Sequence, residues 1–243
     1  MTAPSRLRGR VQAPRVAVLD YGAGNLRSAQ RGLERAGARV LVTSDAVVAE
    51  QADALCVPGV GHFATCLANL RAAGLADLVS AWVSDGRDLL GICVGMQLLY
   101  EHSEEGDCPG LGVLPGRVVR LPESVRVPHI GWDIVEVAPR HDDDPLLTDV
   151  AGERTYFVHS YYAQPSDPQH VVATCAYPDP FPCVVRAGEV VGTQFHPEKS
   201  GDVGARLLHN WVAGIGLPPR ADRGAAGPAD GDEQDRVSSR SGV

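Results

Sequence analysis

No stretch of this 243-residue chain approaches the roughly 18 consecutive apolar residues that cross a bilayer, so no membrane span is expected. Residues 1–14 carry arginines but no continuous apolar segment, which is not the pattern of a secretory signal. The six cysteines form no Cys-x-x-Cys pair and keep no regular spacing to histidine, so a zinc site is not expected. Positive charge is in short supply: 22 Lys and Arg stand against 30 Asp and Glu, for a net charge of −8. That balance, with no basic run anywhere, disfavours nucleic acid and anionic membrane surfaces as partners. Internal repeats are absent. What remains is an ordinary soluble composition, 44% hydrophobic and 21% charged, in a chain long enough to bury one substantial core. Cytoplasmic location is expected, and a reducing cytoplasm would keep the cysteines as thiols.

Along the chain, short apolar runs alternate with helical patterns in the first half. Arg15 to Leu19, Val40 to Val42 and Asp53 to Val57 read as strands. Leu26, Ala29, Leu33 and Ala36 mark one face of a helix that stops at Gly37, and further helices are expected over 63–73 and 75–83. A strand at 88–90 then leads into a helix over 94–102. After Glu105 the runs shorten and alternate, at 113–121, 126–128, 132–137, 155–158, 171–176, 183–186 and 190–193, before a closing helix over 203–213. The fold class is therefore α/β, a mostly parallel central sheet flanked by helices, with antiparallel strands added in the C-terminal half. Residues 1–13 read as a flexible leader and 14–216 as one domain. Residues 217–243 are almost devoid of large apolar side chains and read as a disordered tail.

The chemistry concentrates in Gly91-Ile92-Cys93-Val94-Gly95-Met96-Gln97. An apolar strand, a sharp turn flanked by glycines and a helix start put a thiol at the apex, as Gly-x-Ser-x-Gly does with a hydroxyl. A sulfur at a helix N-terminus is biased toward the thiolate, its nucleophilic form. A lone cysteine in an apolar segment is more often a small buried hydrophobe. Gln194-Phe195-His196-Pro197-Glu198-Lys199-Ser200 changes the balance. Pro197 biases His196 toward extended backbone, where His196 and Glu198 share a side. Thiol, imidazole and orienting carboxylate are the parts of a covalent acyl-transfer site.

With these two motifs, the chain from about Val16 to Trp211 resembles the class I (triad) glutamine amidotransferases. Asp20-Tyr21-Gly22-Ala23-Gly24-Asn25-Leu26, Pro58-Gly59-Val60-Gly61, Val127-Pro128-His129-Ile130-Gly131-Trp132 and Tyr156-Phe157-Val158-His159-Ser160-Tyr161 narrow the likeness. They are similar to the glutaminase subunits of imidazole glycerol phosphate synthases, enzymes of histidine biosynthesis. Val94 departs mildly, standing where that family more often has Leu.

The resemblance implies Cys93 as nucleophile, His196 as general base and acid, and Glu198 as its orienting partner. It implies backbone oxyanion donors at Val94 and in the Val60–Gly61 turn, and glutamine contacts from Gly59, Gln97, Glu105, His159, Ser160 and Tyr161. Glutamine is the implied substrate, with no cofactor or metal. The implied partner is a (β/α)8-barrel cyclase subunit that receives the ammonia in a heterodimer, and Tyr21, Asn25, His129, Trp132 and Lys199 are expected to face it. From the residues alone, other readings stand: Glu104-Glu105-Gly106-Asp107 as a solvated acidic loop, and residues 20–25 as a phosphate cradle, though without the third glycine of Gly-x-Gly-x-x-Gly. An amidotransferase of another pathway, a non-catalytic binding relative and a thiol protease are the competing functions.

Overall fold

In the computed structural model, which describes residues 12–217, the centre is an eight-stranded sheet. Its order is Arg39–Thr43, Arg15–Leu19, Ala54–Gly59, Leu89–Cys93, Val190–Thr193, Pro180–Ala187, Val171–Ala176 and Glu136–Val137. The first five strands run parallel and the last three add on antiparallel. The parallel strands read as continuous apolar runs because both faces are covered: Ala54–Gly59 and Leu89–Cys93 are buried at every position. Leu26–Arg35 and the closing helix Gly201–Gly214 pack on one another, as do Phe63–Ala72 and Leu75–Ser84. Right-handed crossovers put the first and second of these pairs on opposite faces.

Two smaller sheets complete the molecule. His129–Ile134 pairs antiparallel with Arg154–His159. Tyr161–Pro165, Leu114–Arg120, Tyr100–Ser103 and Cys108–Pro109 form the other.

One expectation fails where it matters. The helix expected over 94–102 ends at Gln97, and Tyr100–Ser103 is a strand. Its continuation lost a competition for carbonyls: Leu98, Leu99 and Tyr100 O accept from the N–H groups of Leu111, Val113, Leu114 and Gly112. Leu98, Leu99 and Tyr100 are also fully buried, so no solvent-facing helix surface is left for them to share. The run expected at 126–128 is not a strand; pairing begins at His129. The leader (1–13) and tail (217–243) lie almost wholly outside the described residues.

The strand-turn-helix at Cys93 is possible because glycines remove side chains where backbones touch. A Cβ on Gly95 would lie 1.8 Å from the Val57 carbonyl oxygen, one on Gly59 2.4 Å from Gly95 N, and one on Gly91 2.7 Å from the Met96 Cα. The short helix therefore sits directly on the ends of two neighbouring strands. Gly95→Ala should cost about 3 kcal/mol or more through overpacking, a fall in Tm of roughly 6–12 °C for a domain of this size. Gly214→Ala, where a Cβ would meet nothing within 4 Å, should leave Tm unchanged or raise it slightly. Thermal unfolding followed by circular dichroism checks both.

Candidate active site

Cys93 ends a buried parallel strand and begins the helix Val94–Gln97, with φ 54° and ψ −115°. A non-glycine residue held there is strained by about 1–3 kcal/mol, and such strain persists only where the surroundings enforce it. Here they do: the glycine contacts pull the helix start against Val57 and Pro58, so the chain must turn sharply at residue 93. The sulfur is placed at the C-terminal ends of the parallel strands, where open α/β sheets bind ligands. Register puts Gly59 opposite Cys93 and Thr193 opposite Ile92. The Gly59–Gly61 turn on one side and the Gln194–Glu198 segment on the other are thus delivered to the same sulfur.

His196 is 1% exposed, and its Nδ1 lies 2.9 Å from Glu198 Oε1. His196 is extended as expected, but Pro197–Lys199 forms a single 3-10 turn with Pro197 at its first position. The segment is anchored at both ends. His196 N donates to Tyr156 O, while Ser200 Oγ donates to His196 O and accepts from Tyr156 N. His196 Nε2 and Glu198 Oε2 are buried without a well-formed hydrogen bond, two of four such side-chain atoms among the described residues. The Cys93 sulfur is nevertheless close enough to act on the ring. Burial works against the imidazolium, but the contacts and charges of Cys93 and Glu198 outweigh it and push His196 up to about 9.

Behind the sulfur runs a continuous polar chain. Gln194 Nε2 donates to Cys93 Sγ at 3.6 Å, and Gln97 Nε2 donates to Gln194 Oε1 at 3.0 Å and to Tyr161 O at 2.8 Å. Both N–H groups of the Gln97 amide are used internally, so only its Oε1 can meet a ligand. His159 Nδ1 also lies on Tyr161 O, at 3.0 Å, and its Nε2 is 3.1 Å from His129 Nδ1. Burial, with His129 and His196 nearby, lowers His159 to about 3 against the opposing bond to Tyr161. The ring is therefore neutral, with Nδ1–H donating and Nε2 accepting. His129 Nε2 in turn contacts Asp133 Oδ2 at 2.6 Å.

Several expected site residues are found in other settings. Glu105 accepts from Phe63 N at 2.7 Å, capping the helix Phe63–Ala72 whose own N-cap residue, His62, makes no side-chain cap. Its carboxylate is held by that helix N-terminus rather than displayed as a free anion. Tyr21 and His129, expected to face a partner, are 4% and 1% exposed. Tyr21 donates its hydroxyl to Pro58 O beneath the Gly59 turn, and His129 is stacked between the rings of Tyr177 and Phe157. Asn25 is half-buried and Lys199 exposed. On the strand His129–Ile134, the alternate residues Ile130, Trp132 and Ile134 are 60%, 49% and 39% exposed, and so form one apolar outer face.

Val60 and Gly61 are exposed, Gly61 at φ +107°, and the Val60 carbonyl accepts from Cys66 Sγ at 3.4 Å. Burial, then Glu105 and Cys93, pushes Cys66 up to about 11, which keeps it a thiol donor. Neither Cys66 nor Gln194 carried a role in the sequence reading. For Gln194 the only signal was its place two residues before His196, and the chain bends at residues 194 and 195, so no strand period marked it.

The model of the family described as Glutamine amidotransferase class-I matches residues 17–214. The Halobacterium salinarum protein named imidazole glycerol phosphate synthase subunit HisH is 49% identical, over 81% of this chain and 92% of that protein. The Mycobacterium bovis protein of the same name is 47% identical, over 84% of this chain and 99% of that protein. A crystal structure titled glutamine amidotransferase superposes with a TM-score of 0.66 at 26% identity, covering 82% of this chain and 99% of that one. PurLQS from Thermotoga maritima shares the fold, with a TM-score of 0.64 at 21% identity over 83% and 98% of the two chains. The chain belongs to the class I glutamine amidotransferases and, within them, groups with the HisH subunits of imidazole glycerol phosphate synthase.

Proposed function

We propose that Cys93, His196 and Glu198 carry the glutamine hydrolysis of imidazole glycerol phosphate synthase, with this chain as its glutamine amidotransferase subunit. One observation carries the assignment of roles: a strained cysteine at a strand-helix apex is in side-chain contact with a buried histidine whose Nδ1 is held by a buried carboxylate. The Cys93 thiolate attacks the side-chain amide carbon of glutamine, and the carbonyl π electrons move onto oxygen. The oxyanion is met by the N–H of Val94, first in its helix and without an intrahelical acceptor. A second donor comes from the Val60–Gly61 turn, each such donor being worth roughly 2.7–4 kcal/mol. On collapse of the intermediate the C–N bond breaks and the His196 imidazolium gives its proton to the leaving nitrogen, releasing ammonia. The γ-glutamyl thioester is then attacked by water. His196 takes the water proton, the C–S bond breaks, and glutamate leaves with the thiolate regenerated.

Gly59, Ser160, Tyr161 and the Oε1 of Gln97 border the position the substrate would occupy, while His159 holds Tyr161 in place as a neutral ring. Ammonia freed into water would be protonated and lost, so the product passes to a cyclase subunit in a heterodimer. Lys199 and the outer face carrying Trp132 are offered as the docking region, with the buried Tyr21 and His129 supporting the segments behind it. The folded unit is taken as 14–216. The site works in the cytoplasm, where a thiol nucleophile stays reduced; among the described residues no helix is long and apolar enough to cross a membrane.

Glutamate release should be measured for the chain alone and with a histidine-pathway cyclase and its ribulosyl phosphate substrate. A rate that rises in the mixture and drops by at least about 10⁴-fold in Cys93→Ala is the expected result. Glutaminase activity indifferent to the cyclase would move the chain to another acceptor pathway. The pH dependence has a definite sign. The imidazolium is the required acid, so kcat/KM should fall as pH rises through about 9, where His196 loses its proton. Glu198→Gln removes a contribution that holds this value up, so the alkaline limb should move to lower pH. Histidine NMR titration of Cys93→Ala should show His196 losing its proton earlier, for the same reason.

A further inference from the structure

The polar chain behind the sulfur contains a residue to which neither the general mechanism nor the family likeness assigns a part. We propose that Gln194 is a positioning residue for the nucleophile: its amide N–H holds the Cys93 sulfur in line and stabilises it as the thiolate, and Gln97 locks that amide in the donating orientation. The inference rests on Cys93 being the nucleophile.

Three observations carry it. Gln194 is 0% exposed, and its backbone is fixed by its own N–H donating to Cys183 O at 2.9 Å, immediately after the strand Val190–Thr193. Its side chain therefore has little room to wander. The orientation of the amide is also determined. Gln97 Nε2 offers a hydrogen to the Gln194 oxygen at 3.0 Å, so the nitrogen of Gln194 must point the other way, where Cys93 Sγ lies at 3.6 Å. A flipped Gln194 would set two N–H groups against each other and an oxygen against the sulfur. Finally, Gln97 cannot flip in turn, because its second N–H donates to Tyr161 O. The pair is a two-step relay with one allowed polarity, ending on sulfur.

An N–H donor is worth more to a charged sulfur than to a neutral thiol, so this geometry favours the thiolate. It also limits rotation of the Cys93 side chain, complementing His196. The contribution should be about tenfold in reactive sulfur at fixed pH, equivalent to one pK unit. Gln194→Met keeps the volume and removes the donor. Gln194→Glu keeps an acceptor for Gln97 but turns an oxygen toward the sulfur. Gln97→Met leaves Gln194 free to rotate.

The test is alkylation of Cys93 by iodoacetamide across pH, with the modified residue identified by mass spectrometry and the fold checked by thermal melting. In Gln194→Met the half-maximal pH of alkylation should rise by about one unit, with the plateau rate at high pH little changed. Gln194→Glu should shift it at least as far. Gln97→Met should shift it less, and the double variant Gln97→Met with Gln194→Met no further than Gln194→Met alone. A purely structural glutamine would lower the melting temperature and leave the alkylation profile in place, which would overturn the proposal. If one variant fails to fold, the same profile is read from the other two. With the cyclase present, Gln194→Met should lower kcat for glutamine about tenfold while KM changes little. Iodoacetamide needs no glutamine turnover, so the two readings fail separately. A shifted profile on a chain that hydrolyses no glutamine would keep the positioning role and remove the proposed activity.

Discussion

The close approach of the helix Val94–Gln97 to the strand ends is the constraint on which the rest of the structure depends. Backbone meets backbone there, with no room for a Cβ at Gly95, Gly59 or Gly91. Gly192 belongs to the same contact, since a Cβ on it would fall 2.4 Å from the Met96 Cγ. Such packing leaves the chain no relaxed path from strand to helix, and residue 93 takes up the strain at φ 54°. The same contact presents the first free N–H groups of the helix beside the sulfur. A strained cysteine and an electropositive helix start are thus two consequences of one packing decision.

Around that point the fold supplies redundancy of position rather than of chemistry. His196 is tied to Tyr156 of a different sheet directly and through Ser200, so the imidazole is placed by tertiary contacts and not by the preceding strand Val190–Thr193 alone. The Gly59 turn is held from below by Tyr21 and from the side by Cys66. Burial works against the charged form at two histidines a short distance apart, and their neighbours send them in opposite directions. His159, with no carboxylate partner, is driven neutral, whereas His196, with Glu198 and Cys93 beside it, stays charged to about 9. One class of residue is thereby held as a neutral hydrogen-bonding strut and, in the proposed mechanism, as the proton carrier.

The apolar outer face of His129–Ile134 stands apart from this network and is linked to it. Ile130, Trp132 and Ile134 point outward, while His129 on the same strand points inward and reaches His159 and, through Tyr161, Gln97. A strand that alternates faces can present a docking surface and carry a structural residue of the pocket at the same time, because successive side chains lie on opposite sides. Asp133, half-exposed and bonded to His129 Nε2, is the point where the inner chain comes out near that surface.

Much was legible in the residues because it rests on local rules. Alternating apolar runs and helical periods marked the α/β class, and Gly91-x-Cys93-x-Gly95 marked a turn that only small flanking residues permit. The proposed grouping of Cys93 with His196 and Glu198 followed from chemistry that needs all three. Other features belong to the tertiary structure, because they depend on which backbone groups compete for the same partners. The helix expected over 94–102 stopped at Gln97 once the N–H groups of residues 111–114 claimed its carbonyls. Glu105 became a helix cap because Phe63 N, 42 positions away in sequence, was brought to it. Tyr21 and His129 were buried by the packing of other segments over them. Gln194 acquired a neighbour in Cys93 only when two parallel strands lay side by side. Local pattern determined which groups could do chemistry; long-range pairing, invisible to period and composition, decided which of them meet.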